Sequence, residues 1–134
     1  IDSKSAVLQV DEIFEQRIFG AKICSAIRRT ETKVDFLHFQ VWRMRVLDNK
    51  TGKEISTQLG ISEPTVSRHV AKIREHIKET IMQVVMQYSF TPEEEREPSV
   101  AGMGGNDSEF DAAVSEAYHH HQLFLEKESA RNQV

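Results

Sequence analysis

Apolar residues recur at three- and four-residue intervals over long stretches of this chain, a spacing typical of amphipathic helices. The pattern predicts a first helix over residues 5–29, which ends at the polar triplet 30–32, with Thr32 or Asp35 available to cap the next helix. A second helix, rich in aromatic residues, is predicted over residues 36–47. The apolar stripe of the first helix consists of Val7, Val10, Phe14, Ile18, Ala21, Cys24 and Ile27.

Two further helices follow, joined by a tight turn. Thr51 and Glu54 have the spacing of a capping box, in which each side chain satisfies a backbone N–H at a helix start. Gly60 lies at the predicted end of this helix. Helices often end at a residue with a positive φ, a conformation that is favourable for glycine and costly for other residues. Ser62 is a good N-cap for the next helix, and Pro64 falls in its first turn, where a missing N–H costs nothing. The spacing is that of a helix-turn-helix.

The helix after Ser62 divides its residues between two faces. Val66, Val70 and Ile73 are apolar and would pack inward, which leaves a polar and basic outer face. A recognition helix needs this division, with its first side chains on base edges in the major groove and its cations on phosphates. Two capped helices also occur in bundles that bind no nucleic acid, so a helical interaction module is an alternative.

The chain beyond the helix-turn-helix predicts two more features. The helix that begins at Glu63 meets no glycine or proline until about Gln87. Residues 89–109 contain two prolines, three glycines and an acidic block, which favours a flexible linker. Residues 110–127 then form a predicted amphipathic helix with Ser108 as N-cap, and a short tail follows. This acidic helix has three possible roles: docking on its own domain, binding a partner, or covering the basic surface.

Composition and charge favour a soluble helical protein whose middle part contacts DNA. Of the 134 residues, 39% are hydrophobic and 28% are charged, and the formal net charge is −4. The charge is unevenly distributed: residues 28–78 hold 11 basic and 6 acidic side chains, a balance of +5, whereas residues 91–128 hold 2 basic and 10 acidic ones, a balance of −8. DNA binding depends on local basic surface rather than on the sum over the chain.

Residues 39–77 resemble region 4 of the sigma-70 family, in the extracytoplasmic-function group. Arg45-Val46-Leu47 ends the apolar helix before the turn, as in that family. Thr51–Ser56 fit the family pattern [ST]-x-x-E-[IV]-[AS], and Leu59–Val66 fit L-G-[IV]-S-x-x-T-V. The resemblance implies an all-α fold: a small helical domain (residues 34–88) with a helix-turn-helix and no wing. A leading helix or connector (1–33), a flexible acidic linker (89–109) and a C-terminal helix with its tail (110–134) would complete the chain.

The resemblance also implies a function and a set of DNA-binding residues. In the family, region 4 binds the −35 promoter element in the major groove and contacts the β flap of RNA polymerase; an anti-sigma factor is a further candidate partner. Arg68 is the best candidate for a guanine contact, since its fork matches the O6/N7 pair. The implied residues are Thr51 and Lys53 at a phosphate, Pro64, Thr65, Ser67 and Arg68 nearest the bases, and His69, Lys72 and Arg74 toward the backbone.

Other functions fit the sequence less well. The DNA-binding domain of LuxR-type regulators shares nearly the same turn but normally breaks soon after the recognition helix. Catalysis is not expected, because no nucleophile–base arrangement or glycine-rich phosphate loop is visible. His119, His120 and His121 point about 100° apart on a helix and do not converge on one metal. We expect no cofactor and no metal. We also expect no membrane contact and a cytoplasmic location, because no apolar run approaches the roughly 20 residues that span a bilayer.

Overall fold

The computed structural model describes the backbone of residues 2–132 and the side chains of residues 15–132. This part of the chain is all-α and contains no strand, as the sequence predicts. A π-helical turn (Arg43–Leu47) directly follows the helix that ends at Trp42. The helices are α1 (Asp2–Lys33), α2 (Phe36–Trp42), α3 (Gly52–Leu59), α4 (Glu63–Tyr88), α5 (Pro92–Val100) and α6 (Asp107–Asn132).

The long helix α4 lies at the centre of the molecule. It packs against α1, α2, α3 and α5, while α6 packs against α1 and the π-helical turn. One continuous apolar core joins these elements, and its largest fully buried side chains are Trp42, Phe39, Ile23, Ile55, Ile73 and Ile77. The leading helix and the C-terminal helix therefore share their core with the helix-turn-helix.

The first helix is longer than predicted and buries a different stripe. The Thr30 hydroxyl donates to the carbonyl of Ala26 at 2.9 Å, so the polar triplet continues the helix to Lys33 instead of ending it. Of the predicted stripe, Cys24 and Ile27 are buried, whereas Ile18 and Ala21 are exposed. The side chains of Val7, Val10 and Phe14 lie outside the described residues. The buried residues that the pattern missed include Ile23, Ala26 and a cation, Lys22.

The segment from residue 89 to 109 differs from the predicted flexible linker, because it contains α5. Thr91 caps this helix by accepting a hydrogen bond from the N–H of Glu94, and Pro92 lies in its first turn, where no N–H is needed. After α5, the N–H of Met103 donates to the carbonyl of Pro98 at 2.8 Å, and the Met103 side chain is buried. The segment is therefore folded onto the rest of the chain.

The C-terminal helix starts earlier than predicted and is capped by another residue. α6 begins at Asp107, and the side-chain oxygen of Asn106, not of Ser108, accepts the N–H of Glu109 at 2.9 Å. Phe110 and Val114 of the predicted apolar face are buried, whereas Leu125 is exposed. Of the three roles left open by the sequence, α6 fulfils the first, since it docks on its own domain.

Candidate nucleic-acid interface

The helix-turn-helix is built by local interactions at each of its three junctions. The N–H of Glu54 donates to the Thr51 hydroxyl at 3.1 Å, and this hydroxyl also lies 3.2 Å from the Glu54 carboxylate. Gly60 ends α3 in the left-handed conformation, with φ +69°. At the start of α4, the N–H of Thr65 donates to the Ser62 hydroxyl at 3.2 Å. The predicted glycine stop and N-cap are thus confirmed. Of the capping box, the half formed by Thr51 is present, whereas the Glu54 carboxylate accepts from the Thr51 hydroxyl instead of the Thr51 N–H.

The first two turns of α4 present a connected polar surface. The hydroxyls of Ser62 and Thr65 lie 2.7 Å apart, and the Arg68 guanidinium donates to the Thr65 hydroxyl at 3.0 Å. Pro64, Ser67 and Arg68 are exposed, and Thr65 is half-buried. The hydrogen bond to Thr65 directs the Arg68 side chain back toward the N-terminus of α4, the end that a recognition helix presents to bases.

Three exposed cations of the helix-turn-helix are available to an anionic ligand. Lys53 near the start of α3, together with Arg68 and Lys72 on α4, is exposed. Among the described side chains, none of the three forms an ion pair. Lys53 follows Thr51, so a cation and the free amides of the α3 N-terminus lie together, an arrangement that suits a phosphate.

His69 lies against a partner that the sequence analysis did not identify. Its ring stacks on that of His38, with the centroids 3.9 Å apart. Burial, followed by the nearby His38 and Arg68, lowers the pKa of His69. Asp35 caps α2 by accepting the N–H of His38, and this hydrogen bond lowers the pKa of the Asp35 carboxyl. At neutral pH, His69 therefore contributes a polar ring rather than a positive charge.

Arg74 is separated from the other eight predicted residues by its partners. Its guanidinium donates two hydrogen bonds to the carboxylate of Asp111, at 2.9 and 2.7 Å, and lies 3.5 Å from Asp107. Lys78, one turn further along α4, lies 3.1 Å from Asp107. The hydrogen bond with Asp111 is the main cause of the raised pKa of Arg74. The hydrogen bond with Asp107 is likewise the main cause of the raised pKa of Lys78.

A sequence signal for this contact exists. Arg74 and Lys78 are four residues apart, and so are Asp107 and Asp111. Residues four apart lie on one side of a helix, so the two pairs have matching spacing on two helices. The spacing alone does not reveal the contact, because the partners are 29 and 37 positions apart in the sequence, a separation that does not fix how the two helices meet.

The family model described as sigma-70, region 4 matches residues 40–77. This segment is a sigma-70 region 4. It runs from the second half of α2 through the turn and α3 to Ile77 of α4, and so contains all nine predicted DNA-binding residues. Comparison with curated proteins finds no match, and neither does comparison with solved structures.

Region 4 is a DNA-binding regulatory domain of sigma factors, and it serves −35 promoter recognition and interaction with RNA polymerase. The unbroken course of α4 to Tyr88 also differs from the break expected of a LuxR-type domain. Within the described residues, no group of three or more His, Cys, Asp or Glu side chains is arranged to hold a metal ion. None of the described helices combines the length and apolar character required to cross a bilayer.

Proposed function

We propose that region 4 of this chain reads a −35 element as part of an extracytoplasmic-function sigma factor. The N-terminal half of α4 enters the major groove. Pro64, Thr65, Ser67 and Arg68 lie nearest the bases, and Arg68 donates to a guanine. His69 and Lys72 face the adjoining backbone. Thr51 and Lys53 hold a phosphate at the start of α3.

The observation that supports this proposal most strongly is the state of Arg68. Its guanidinium is exposed and forms no ion pair among the described side chains, and its one hydrogen-bond partner is the hydroxyl of Thr65. An arginine held in this way is oriented before DNA arrives, yet keeps the donors that a guanine needs. Lys72, one turn further along α4, is equally exposed and supplies a cation for the flanking phosphates.

The far end of α4 supports a role in recruiting RNA polymerase. Met82 and Met86 are 68% and 65% exposed. Met86 lies 18 residues beyond Arg68, about 27 Å along the helix axis. Exposed apolar side chains favour contact with a protein, and these remain accessible when the other end of α4 is in DNA. We assign this surface to the β flap of the polymerase; an anti-sigma factor is a further candidate partner.

Binding to selected DNA tests the assignment of Arg68. Duplexes that bind the full chain are first enriched from a randomised pool, which yields a preferred sequence. We expect Arg68→Ala to weaken binding to that sequence by about 5- to 150-fold, the equivalent of the 1–3 kcal/mol that one bidentate base contact contributes. Binding to random duplexes should weaken far less, because a base contact is lost only where the base is present.

Arg131→Ala is the matched control, because this substitution also removes one guanidinium, and Arg131 is exposed near the end of α6. It should leave the preference for the selected sequence unchanged. Equal losses for Arg68→Ala on selected and random DNA would assign Arg68 to a phosphate instead. Failure of the chain to enrich any sequence would contradict the proposed promoter reading.

A further inference from the structure

The contact between α6 and the middle of α4 resembles a protein–phosphate contact in its chemistry. The carboxylate of Asp111 accepts two hydrogen bonds from the Arg74 guanidinium, the bidentate geometry with which arginine also binds phosphate. Asp107 lies between Arg74 and Lys78, at 3.5 and 3.1 Å from their nitrogens. Two acidic side chains thus neutralise two neighbouring cations of the helix that carries the DNA-reading residues.

These two cations lie beside the DNA-reading face of α4, close in angle to Ser67 and about 120° and 80° around the helix axis from Arg68. Arg74 and Lys78 are seven and eleven residues beyond Ser67, so each points within about 20° of Ser67 around the helix axis, and the two lie about 40° from each other. Arg74 lies about 10 Å and Lys78 about 16 Å beyond Ser67 along that axis. The major groove is about 12 Å wide, so a phosphate strand at its edge comes within reach of their long side chains when Ser67 faces the bases.

The first turn of α6, with Asp107 and Asp111, is held in place because the rest of α6 packs against the protein. Gly20 of α1 allows a close approach, since a Cβ atom there would lie 3.1 Å from that of His121. The Arg17 guanidinium stacks 3.9 Å from the centre of the Phe124 ring. Phe110 lies between Asp107 and Asp111 in the sequence and is buried. The centre of its ring is 5.2 Å from the Lys78 ammonium. The ion pairs are therefore part of a packed interface and do not depend on a free tail.

We propose that Arg74 and Lys78 form a second phosphate-binding site on α4, which Asp107 and Asp111 occupy within the same chain and so keep from DNA. This inference rests on the proposed function, because it assumes that α4 enters the groove. The occupied site lowers the number of phosphates that the chain neutralises. It also places two carboxylates close to the DNA strand, where they repel it.

The salt dependence of DNA binding counts these contacts. Each neutralised phosphate contributes about −0.9 to the slope of log K against log salt concentration. Asp107→Asn/Asp111→Asn retains the shape of both side chains and removes the two charges. We expect this double variant to bind a labelled 25-base-pair random duplex more tightly than wild type, with a slope steeper by about 1.8. Between 50 and 200 mM salt, it should lose about 12-fold more affinity than wild type.

Two matched variants test the assignment. Glu126→Gln/Glu128→Gln makes the same charge change at the exposed far end of α6, and its slope should equal that of wild type. Adding Arg74→Gln and Lys78→Gln to the double aspartate variant should return the slope to the wild-type value. Point substitutions are preferred to a deletion of α6, which would also remove Phe110 and Val114 from the core.

The outcomes separate this inference from the proposed function. A wild-type affinity that does not fall with salt would overturn both, since no phosphate would then be neutralised. A steep wild-type slope that is unchanged in the double aspartate variant, or that rises equally in the glutamate control, would overturn the second site alone. A steeper slope confined to the aspartate variant and reversed by Arg74→Gln and Lys78→Gln would establish it.

Discussion

Gly52 and Gly60 stand at the two ends of α3 and have opposite requirements. Gly60 adopts φ +69°, a conformation that costs other residues about 1–2 kcal/mol, although no atom lies near the position of its missing Cβ. Gly52 is the first residue of the helix, has an ordinary φ, and also has open space around it. Backbone conformation, not crowding, is therefore the one property that separates them.

We predict that Gly60→Ala lowers the free energy of unfolding by about 1 kcal/mol, because alanine is strained at a positive φ. Gly52→Ala should leave it unchanged or raise it by up to about 1 kcal/mol, since alanine loses less chain entropy in a helix. Urea unfolding followed by the fluorescence of the single tryptophan, Trp42, measures both. Equal changes in the two variants would show that φ at Gly60 does not limit stability.

Residue-scale features were predictable from the sequence wherever their partners are local. The caps at Thr51 and Ser62 and the stop at Gly60 involve groups within five residues, so the local sequence contains all their determinants. The partners of Arg74 and His69 lie on other helices, about 30 residues away or more. Their environment follows from how the helices pack, which no local pattern specifies. The sequence accordingly places Arg74 toward the DNA backbone, whereas the structure holds it against Asp111.

At the scale of elements, α5 shows how a helix without an apolar face is kept in place. None of its nine residues is buried, and an isolated helix of this length is marginal in water. Besides its contact with α4, it is bound by Lys22 of α1, whose buried ammonium donates to the Ser89 hydroxyl at 3.1 Å and to Glu94 at 3.3 Å and lies 4.0 Å from Glu97. Periodicity missed this helix because none of its residues is buried, and the cation that binds it lies outside the apolar stripe expected of α1.

We predict that Lys22→Met loosens α5 and lowers the free energy of unfolding by about 1–2 kcal/mol. The effect is smaller than that of breaking a fully buried pair, because Glu94 and Glu97 retain contact with water. Hydrogen exchange should accelerate in Pro92–Val100. Lys127→Met, at an exposed position of α6, is the control and should leave this exchange unchanged. Unaltered exchange in the Lys22 variant would show that another contact holds α5.

At the scale of the whole molecule, the region 4 segment is only part of the folding unit. Its core continues into α1 through Ile23 and into α6 through Phe110 and Val114. The sequence predicted every long helix and the helix-turn-helix between them. It did not decide whether the last helix docks, since an amphipathic face serves a distant partner as well as an intramolecular one.

Shared packing predicts that α6 and region 4 unfold together. Phe110 is 2% exposed, so Phe110→Ala should lower the free energy of unfolding by about 3–5 kcal/mol. Because Trp42 lies in α2 within the same core, its fluorescence and the far-ultraviolet circular dichroism should shift to lower urea concentration together. Leu125→Ala, on an exposed part of α6, should change stability by well under about 1 kcal/mol. A different outcome is that Phe110→Ala leaves the urea midpoint of Trp42 fluorescence unchanged, while part of the circular-dichroism signal is lost at lower urea concentration. This result would show that α6 unfolds independently of region 4. In that case α6 could undock as a unit. Asp107 and Asp111 would then leave Arg74 and Lys78 without unfolding of the DNA-reading domain.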